Sequence, residues 1–549
     1  MKFLQTLWTG PSRALKQHPM NMKAGWLSAE YHWMSWALSC LQAKNVFGDI
    51  SLVTDTTGKE ILIDQLNLPY SSVSTALQHT LNDYHPALFA LAKIYTYSAQ
   101  TGHFLHLDSD VFIWDKPDDS FLNSRLIAQN TDKNLPFYAH ALNAINEHFT
   151  YIPPHFLKQN YEHTDIYASN AGLLGGNDEA FFKEYSRLAF EFIDKNKSNL
   201  DKLNTGSLNF IIEQYLFYEL ARAKNIPITY LKGVVDDPVF KDYIKFEDFP
   251  HVDLVHPVGG FKKQPHVCEH VAKKLRNDYP EYYYRVIDAV RSVNDRMLSS
   301  IYYLPSYRPG IVPPFIVEEG TKPLESRQSF ERTTAAINYL NKKYLVDFPT
   351  TFEPGLTKRK LKNRLKKLPF SDNEKDCLLE IFGLEWEITR MLNKLYATER
   401  DICRLYNQDL NGYLKIQETF SLPNDVMMEV KITIAENLQQ VSLQYDWNYN
   451  NAEEVEALIE RNFNAETADY TAVLISRPIQ LNIREYYTDE LDNILIYTLN
   501  DIFSIRELIK KMEPYFSPEE ISGDYESFKL LITKTIKQLM YCGIVKIIF

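Results

Sequence analysis

Apolar residues follow two alternating rhythms over the first 295 positions. Phe3–Trp8 is a short apolar run that stops at Thr9-Gly10-Pro11 and reads as a first strand. Trp26–Gln42 carries helical spacing. Asp49–Asp55 alternates like a strand, and Pro86–Gln100 has the wide apolar face of a helix. His103–Trp114, "HFLHLDSDVFIW", is a buried strand by pattern. "YASNAGLLGG" follows a loop, with a glycine-rich turn before the next helix. Asp178–Lys195 and Ser207–Lys224 are helical, and Ile228–Leu231 is a strand. This order predicts an α/β domain over 1–295, with a mostly parallel sheet covered by helices on both faces.

The rhythm then changes. "YYLPSYRPGIVPPF" (Tyr302–Phe315) is proline-rich and reads as a linker. "TKRKLKNRLKK" (Thr357–Lys367) reads as a solvated helix face, and Asp376–Leu414 as one charged, amphipathic helix. Residues 296–425 are therefore a linker and helical connector. In 426–549, Met428–Ile434 and Gln439–Tyr445 flank "AENL" as a hairpin, and Thr471–Ile475 with Ile479–Ile483 form a second. Ser504–Glu507 and Ser517–Glu520 fit capping boxes that start helices. Phe528, Leu531, Ile532, Thr535, Ile536 and Leu539 share a face, and "CGIVKIIF" turns at Gly543 into a last strand. Short helices followed by a strand predict an α+β, winged-helix-like C-terminal domain.

Composition narrows the class. Length suggests about 3–4 domains. The 549 residues carry 59 Lys and Arg against 71 Asp and Glu, a formal charge of −12, which argues against nucleic acid as a partner. The five cysteines are scattered, with no Cys-x-x-Cys, and suit reduced thiols rather than a disulfide framework or zinc site. No apolar run is long enough for a membrane span. "MKFLQTLWTGP" lacks the regions of a signal peptide. A cytoplasmic protein is expected.

Three segments carry candidate chemistry. Asp108 and Asp110 end the apolar run, where two carboxylates are costly unless compensated. Such a pair can chelate a hard divalent cation, with phosphate oxygens completing its shell. "NAGLLGG" (Asn170–Gly176) combines an amide with glycines that let backbone approach a ligand, although a plain turn gives the same pattern. "HPVGGFK" sets His256, Gly259 and Lys262 three residues apart: a metal-binding imidazole, a close-approach glycine and a phosphate-pairing ammonium, or else an ordinary loop. His103 and His106 alternate on a strand and are expected to pack. His148, His155 and His163 read as exposed loop residues.

Taken in order, these motifs resemble the GT-A (Rossmann-like) glycosyltransferases, and most closely the retaining family-8, glycogenin-like type. That family carries Asp-x-Asp after an apolar strand, an Asn-Ala-Gly segment, an acid-Gln pair on a helix and His-x-x-Gly-x-x-Lys. Here these are Asp108 and Asp110; Asn170, Ala171 and Gly172; Glu213 and Gln214; His256, Gly259 and Lys262. The family's Pro-Trp after the lysine is replaced by Lys-Gln-Pro, and its Asp-Gln-Asp by Glu213-Gln214-Tyr215. The resemblance covers the first half of the chain. It implies a hexosyltransferase in which Asp108, Asp110 and His256 hold Mn²⁺ or Mg²⁺. A nucleotide-sugar donor, uridine-linked in the first instance, would meet Asp108, Gly172, Gly259 and Lys262. Leu7, Thr9 and Gly10 would lie beside the nucleotide. Lys93 would reach phosphate or sugar, or stand as an ordinary helix lysine. Asn170, Glu213 and Gln214 would line the sugar site, with one of the last two beneath the anomeric carbon.

Two alternatives stay open. Haloacid-dehalogenase-like phosphatases also place Asp-x-Asp after an apolar strand, with Asp108 then a nucleophile and Asp110 an acid/base; "VVDD" (Val234–Asp237) resembles their late acidic motif. A non-catalytic reading makes the C-terminal module the working part. It would bind DNA, which its charge disfavours, or a leader peptide, as PqqD-like domains do by strand addition. With a catalytic first half, such a peptide or protein would be the acceptor.

Overall fold

The structure is a computed structural model. It describes residues 1–14, 16–154, 156, 165–236, 252–263, 265–293, 330–350, 352, 356–448, 455–477, 482–518, 521 and 524–548. The chain divides into two compact units, Met1–Lys263 with Val267–Asn294, and Gln264–His266 with Asp295–Phe549.

In chain order the strands of the first unit are β1 (Lys2–Leu7), β2 (Ser51–Thr54), β3 (Ser72–Ser74), β4 (Phe104–Leu107), β5 (Phe112–Ile113), β6 (Leu126–Ala128), β7 (Thr131–Lys133), β8 (Tyr167–Ser169), β9 (Leu173–Gly176), β10 (Ile228–Tyr230), β11 (Val234–Val235) and β12 (Leu254–Val255). Seven of them form one sheet in the order β10-β6-β9-β4-β1-β2-β3. All its pairings are parallel except those of β9, which runs against both β4 and β6. The mostly parallel α/β sheet is thus observed. The helix Ala29–Phe47 is buried without interruption from Ala29 to Ala43, as an all-round apolar helix must be.

The run His103–Trp114 is not one strand. It breaks at Asp108–Val111, where Val111 N–H donates to the Asp108 carbonyl at 3.1 Å, and resumes as β5. β5 leaves the sheet and pairs antiparallel with β12, Leu254 opposite Ile113 and Val255 opposite Phe112. Two carboxylates with one residue between them cannot continue into a dry sheet, and the chain turns where they occur. "YASNAGLLGG" is likewise strand, turn, strand, with Asn170–Gly172 between β8 and β9. Helix Leu208–Ala223 carries a wider π turn over Ile211–Tyr215, around Glu213.

In the second unit the single helix expected over Asp376–Leu414 is two, Asp372–Leu395 and Glu399–Phe420, because Thr398 caps a new start by accepting from Asp401 N–H. The basic run forms helix Lys358–Leu365, which buries Leu361 and Leu365 and turns its charges outward. The later strands are β13 (Lys431–Ile434), β14 (Leu438–Leu443), β15 (Tyr470–Arg477), β16 (Asn482–Tyr487), β17 (Phe503–Ser504) and β18 (Val545–Ile548). The hairpin expected across "AENL" does not form: β13 pairs with β17 and β18, and β14 with β15 in a separate sheet. Alternation gives each strand a buried face but does not name its neighbour. β15 and β16 do pair antiparallel; the residues joining them, 478–481, lie outside those described, as do Tyr302–Phe315 and part of Ser517–Glu520. Ser504 and Glu507 make the expected capping box. Buried Arg332 binds Glu485 through both Nη atoms, at 2.6 and 2.9 Å, and its backbone N–H donates to Glu385.

β9 fits between β4 and β6 only because of its glycines. A Cβ on Gly175 would collide with the Phe104 carbonyl and stand 2.9 Å from Leu105 Cα. Gly175→Val is expected to lower stability by about 1–3 kcal/mol or more, the range for overpacked cores, read as a shift in urea midpoint at unchanged m-value.

Candidate functional site

Open parallel sheets place ligand sites at the carboxyl ends of their strands. β1, β4 and β6 all end at one rim, and β12 delivers His256 to it. Because Val255 pairs antiparallel with Phe112, the chain at His256 continues alongside the Asp108–Val111 turn. His256 Nε2 stands 3.6 Å from Asp110 Oδ1, and the Lys262 ammonium pairs with Asp110 Oδ2. Helix Ala29–Phe47 pins the turn: Ser35 Oγ donates to the Ser109 carbonyl at 2.7 Å and Ser39 Oγ to that of Val111 at 2.7 Å. One ligand atom each from Asp108, Asp110 and His256 lies within 4.8 Å of the others, and no other such trio occurs among the described residues. Around an octahedral ion with bonds of about 2.1 Å, ligands stand about 3.0 Å apart in cis and about 4.2 Å in trans. The trio therefore fits a hard divalent cation after small side-chain shifts. The imidazole and carboxylate donors suit manganese.

A second buried charge group adjoins the first. Lys93, in the first turn of helix Ala90–Ser98, lies 2.7 Å from both Asp108 Oδ1 and Glu213 Oε1. Tyr97, one turn on, donates to Glu213 Oε1 at 2.7 Å. Burial raises the Asp108 and Glu213 carboxyls, Lys93 opposes that, and the nearby carboxylates add to the rise. Burial alone would lower Lys93, but the two carboxylates override it and hold the ammonium charged. Asp110 goes the other way: burial would raise it, and Lys262 with His256 hold it well below the usual carboxylate range. Three carboxylates face two ammonium groups here, leaving one formal negative charge for a cation to offset.

The remaining sequence-selected residues fall around this centre. Asn170 Oδ1 accepts from Gly172 N–H at 3.0 Å, and the Gly172 carbonyl accepts from Asp108 N–H at 2.9 Å, so the Asn-Ala-Gly turn braces the aspartate. A Cβ on Gly172 would fall 2.5 Å from His256 Nδ1, which is why glycine stands there. Gly259 adopts φ +52°, a left-handed conformation that also favours glycine. Gln214 is half-buried, with its side-chain amide against the Tyr138 hydroxyl. Leu7 accepts from Thr54 Oγ1 at 2.8 Å. Thr9 binds Asp55 Oδ2 through N–H and hydroxyl, and Gly10 opens the next short helix. These three sit at the end of β1, beside β4. His106 packs, as expected: it is buried, with Nε2 3.1 Å from Thr6 Oγ1. His148 is half-buried at a helix end; His155 and His163 lie outside the described residues.

Sequence reasoning passed over several participants. His32, on the helix that pins the turn, is buried and held neutral, its pKa lowered to about 3 by burial and then by Lys262. Gln129, Asn130 and Asp132 extend from the end of β6 and are each 1 % exposed. Gln129 Oε1 stands 2.8 Å from His256 Nδ1. The signal was present in "LIAQNTDK", a polar run immediately after an apolar strand, at the end of the sheet where ligands bind.

A family model described as "Family of unknown function (DUF6734)" matches residues 1–289. The chain belongs to this family. No curated protein matches the chain. Among solved structures, it is similar to a WbbM bifunctional glycosyltransferase in its apo form. The TM-score is 0.25 and the identity 11%, over 52% of this chain and 51% of that one. It is also similar to an active-site mutant of LgtC, at TM-score 0.23 and 11% identity, over 47% of this chain and 86% of that one. The chain thus spans about half the length of the first. At these scores neither likeness bears on activity.

Removing the shared cation should expose the cost of the paired carboxylates. Lys93→Met leaves buried Glu213 and half-buried Asp108 without their ammonium and should cost up to about 3–5 kcal/mol in urea unfolding near pH 7. The raised carboxyls take up protons as pH falls, so the gap to wild type should narrow toward pH 5. A gap independent of pH would contradict this account.

Proposed function

We propose that this protein is a metal-assisted glycosyltransferase that moves a hexose from a nucleoside-diphosphate sugar, uridine-linked by resemblance, to an acceptor hydroxyl. The observation that carries the reading is convergence. Segments around residues 93, 108–110, 213 and 256–262 meet at the carboxyl end of one mostly parallel sheet, and the residues that meet are a trio that could hold a metal ion, flanked by two lysines. Manganese or magnesium held by Asp108, Asp110 and His256 would supply the Lewis acid that stabilises a departing diphosphate.

The chain's own groups divide the remaining work. Lys262 pairs with Asp110 and would be free to meet a phosphate if that carboxylate held a cation. Lys93, clamped by Asp108 and Glu213, is a fixed positive charge beside the trio. Leu7, Thr9 and Gly10 form the nucleotide side, and Gly172 and Gly259 allow backbone to approach the donor. Asn170 and Gln214 line the sugar side. Glu213 is buried and engaged by Lys93 and Tyr97, and Gln214 meets Tyr138, so the half-buried Gln214 is the one of the pair with a face left for the anomeric carbon in a retaining reaction. A peptide or protein acceptor bound by 426–549 extends the reading.

A metal-independent transferase is the second reading, favoured by one observation: Lys262 neutralises Asp110 directly. A donor screen with uridine-, guanosine- and cytidine-linked sugars, with and without Mn²⁺, decides between them by nucleotide release. The expected result is Mn²⁺-dependent release of nucleoside diphosphate, reduced about a hundredfold or more in Asp110→Ala. Turnover unaffected by metal or by Asp110→Ala would favour the second reading. Hydrolysis of a phosphate monoester without any sugar-nucleotide turnover would favour a phosphatase instead.

A further inference from the structure

A line of hydrogen bonds runs from His256 into the core. His256 Nδ1 lies 2.8 Å from Gln129 Oε1; Gln129 Nε2 donates to Asn130 Oδ1 at 3.1 Å; Asn130 Nδ2 donates to Asp132 Oδ1 at 2.8 Å. All four residues are at least 95 % buried. Two amides in series can orient either way, and an imidazole can carry its proton on either nitrogen. The far end of the line has a fixed polarity, whereas at the near end Asp110 Oδ1 stands 3.6 Å from His256 Nε2, beyond hydrogen-bond reach. An ionised carboxylate accepts and cannot donate. Asp132 also accepts from the Tyr138 hydroxyl at 2.9 Å, and a side-chain hydrogen bond reaches it from Asn170, whose own Oδ1 is committed to Gly172 N–H.

The polarity then propagates. Asn130 must turn its NH₂ to Asp132, which leaves its carbonyl to accept from Gln129. Gln129 must therefore present its carbonyl to His256, which can answer only with an Nδ1 proton. In the neutral ring Nε2, 3.6 Å from Asp110 Oδ1, is then the nitrogen with the bare lone pair.

We propose that Asp132 is a positioning residue that sets the tautomer of His256 and so makes Nε2 a metal ligand. This rests on the metal site proposed above. Partners of a metal-bound histidine characteristically change metal affinity by about 10–100-fold when removed. Asp132→Asn keeps the shape but not the polarity. Its amide can donate to Asn130, the line can reverse, and the His256 proton can move to Nε2, where it blocks the metal.

The test is Mn²⁺ binding to the full-length protein, followed by loss of the free aqueous Mn²⁺ paramagnetic resonance signal, which needs no substrate. Asp132→Asn is expected to weaken binding about 10–100-fold. Adding Gln129→Glu to that variant should restore affinity to within a few-fold, because a carboxylate at 129 accepts from Nδ1–H whichever way Asn130 turns. Should Asp132→Asn not fold, the pair Gln129→Glu and Gln129→Met decides, the first retaining affinity and the second losing it. Wild type that binds no Mn²⁺ overturns the metal site itself. Wild type that binds, with Asp132→Asn or Gln129→Met binding equally well, overturns the role of Asp132 and leaves the metal site standing. Weak binding that Gln129→Glu does not restore also overturns it, since the loss then comes from altered packing.

Discussion

Buried carboxylates must be compensated, and in this protein that requirement organises the first unit. Asp108 and Asp110 end a strand whose other residues are buried, and neither carboxylate can be stranded there. The compensation comes from four separate segments. Helix Ala90–Ser98 brings Lys93, helix Leu208–Ala223 brings Glu213 to anchor Lys93, β12 brings His256, and the turn after it brings Lys262. Each arrives because an element of regular structure ends at the same rim of the sheet. The unusual local features gather here too: the break between β4 and β5, the π turn around Glu213 and the glycines at 172 and 259.

The short β5–β12 pair shows how little backbone is needed to build such a centre. Two residue pairs bring position 256 to position 110, across almost 150 residues of chain. The hydroxyls of Ser35 and Ser39 then hold the turn from the opposite side. Rigid support of this kind is what a ligand site needs, because groups that must meet a small ion or a phosphate lose their effect when loosely held.

Charge is arranged in two layers. Asp110, beside Lys262 and His256, is held ionised, whereas Asp108 and Glu213 share one lysine and are raised. Behind them the uncharged amides of Gln129, Asn130 and Asn170 connect the centre to Asp132, which burial has pushed up to about 6. Amides carry polarity without adding charge, so the deeper layer can orient the outer one without changing its net charge.

Several features of this protein were determined by local sequence. The alternation of strand and helix, the mostly parallel sheet and the capping box at Ser504 follow from spacing that any segment carries by itself. The candidate residues Asp108, Asp110, His256 and Lys262 were legible because rare residue types sat in glycine-marked or strand-end contexts. What the segments do to one another was not legible. The hairpin across "AENL" dissolved because alternation sets a strand's faces and leaves its partner open. Lys93 could be read as an ordinary helix lysine until the fold placed it between two carboxylates. Gln129, Asn130 and Asp132 were passed over in the sequence, since the direction of a hydrogen-bond line depends on what waits at each end. Short-range spacing encodes elements and candidate chemistry; only the tertiary fold decides which buried charges and polar groups face each other, because that energy exists only once distant segments have come together.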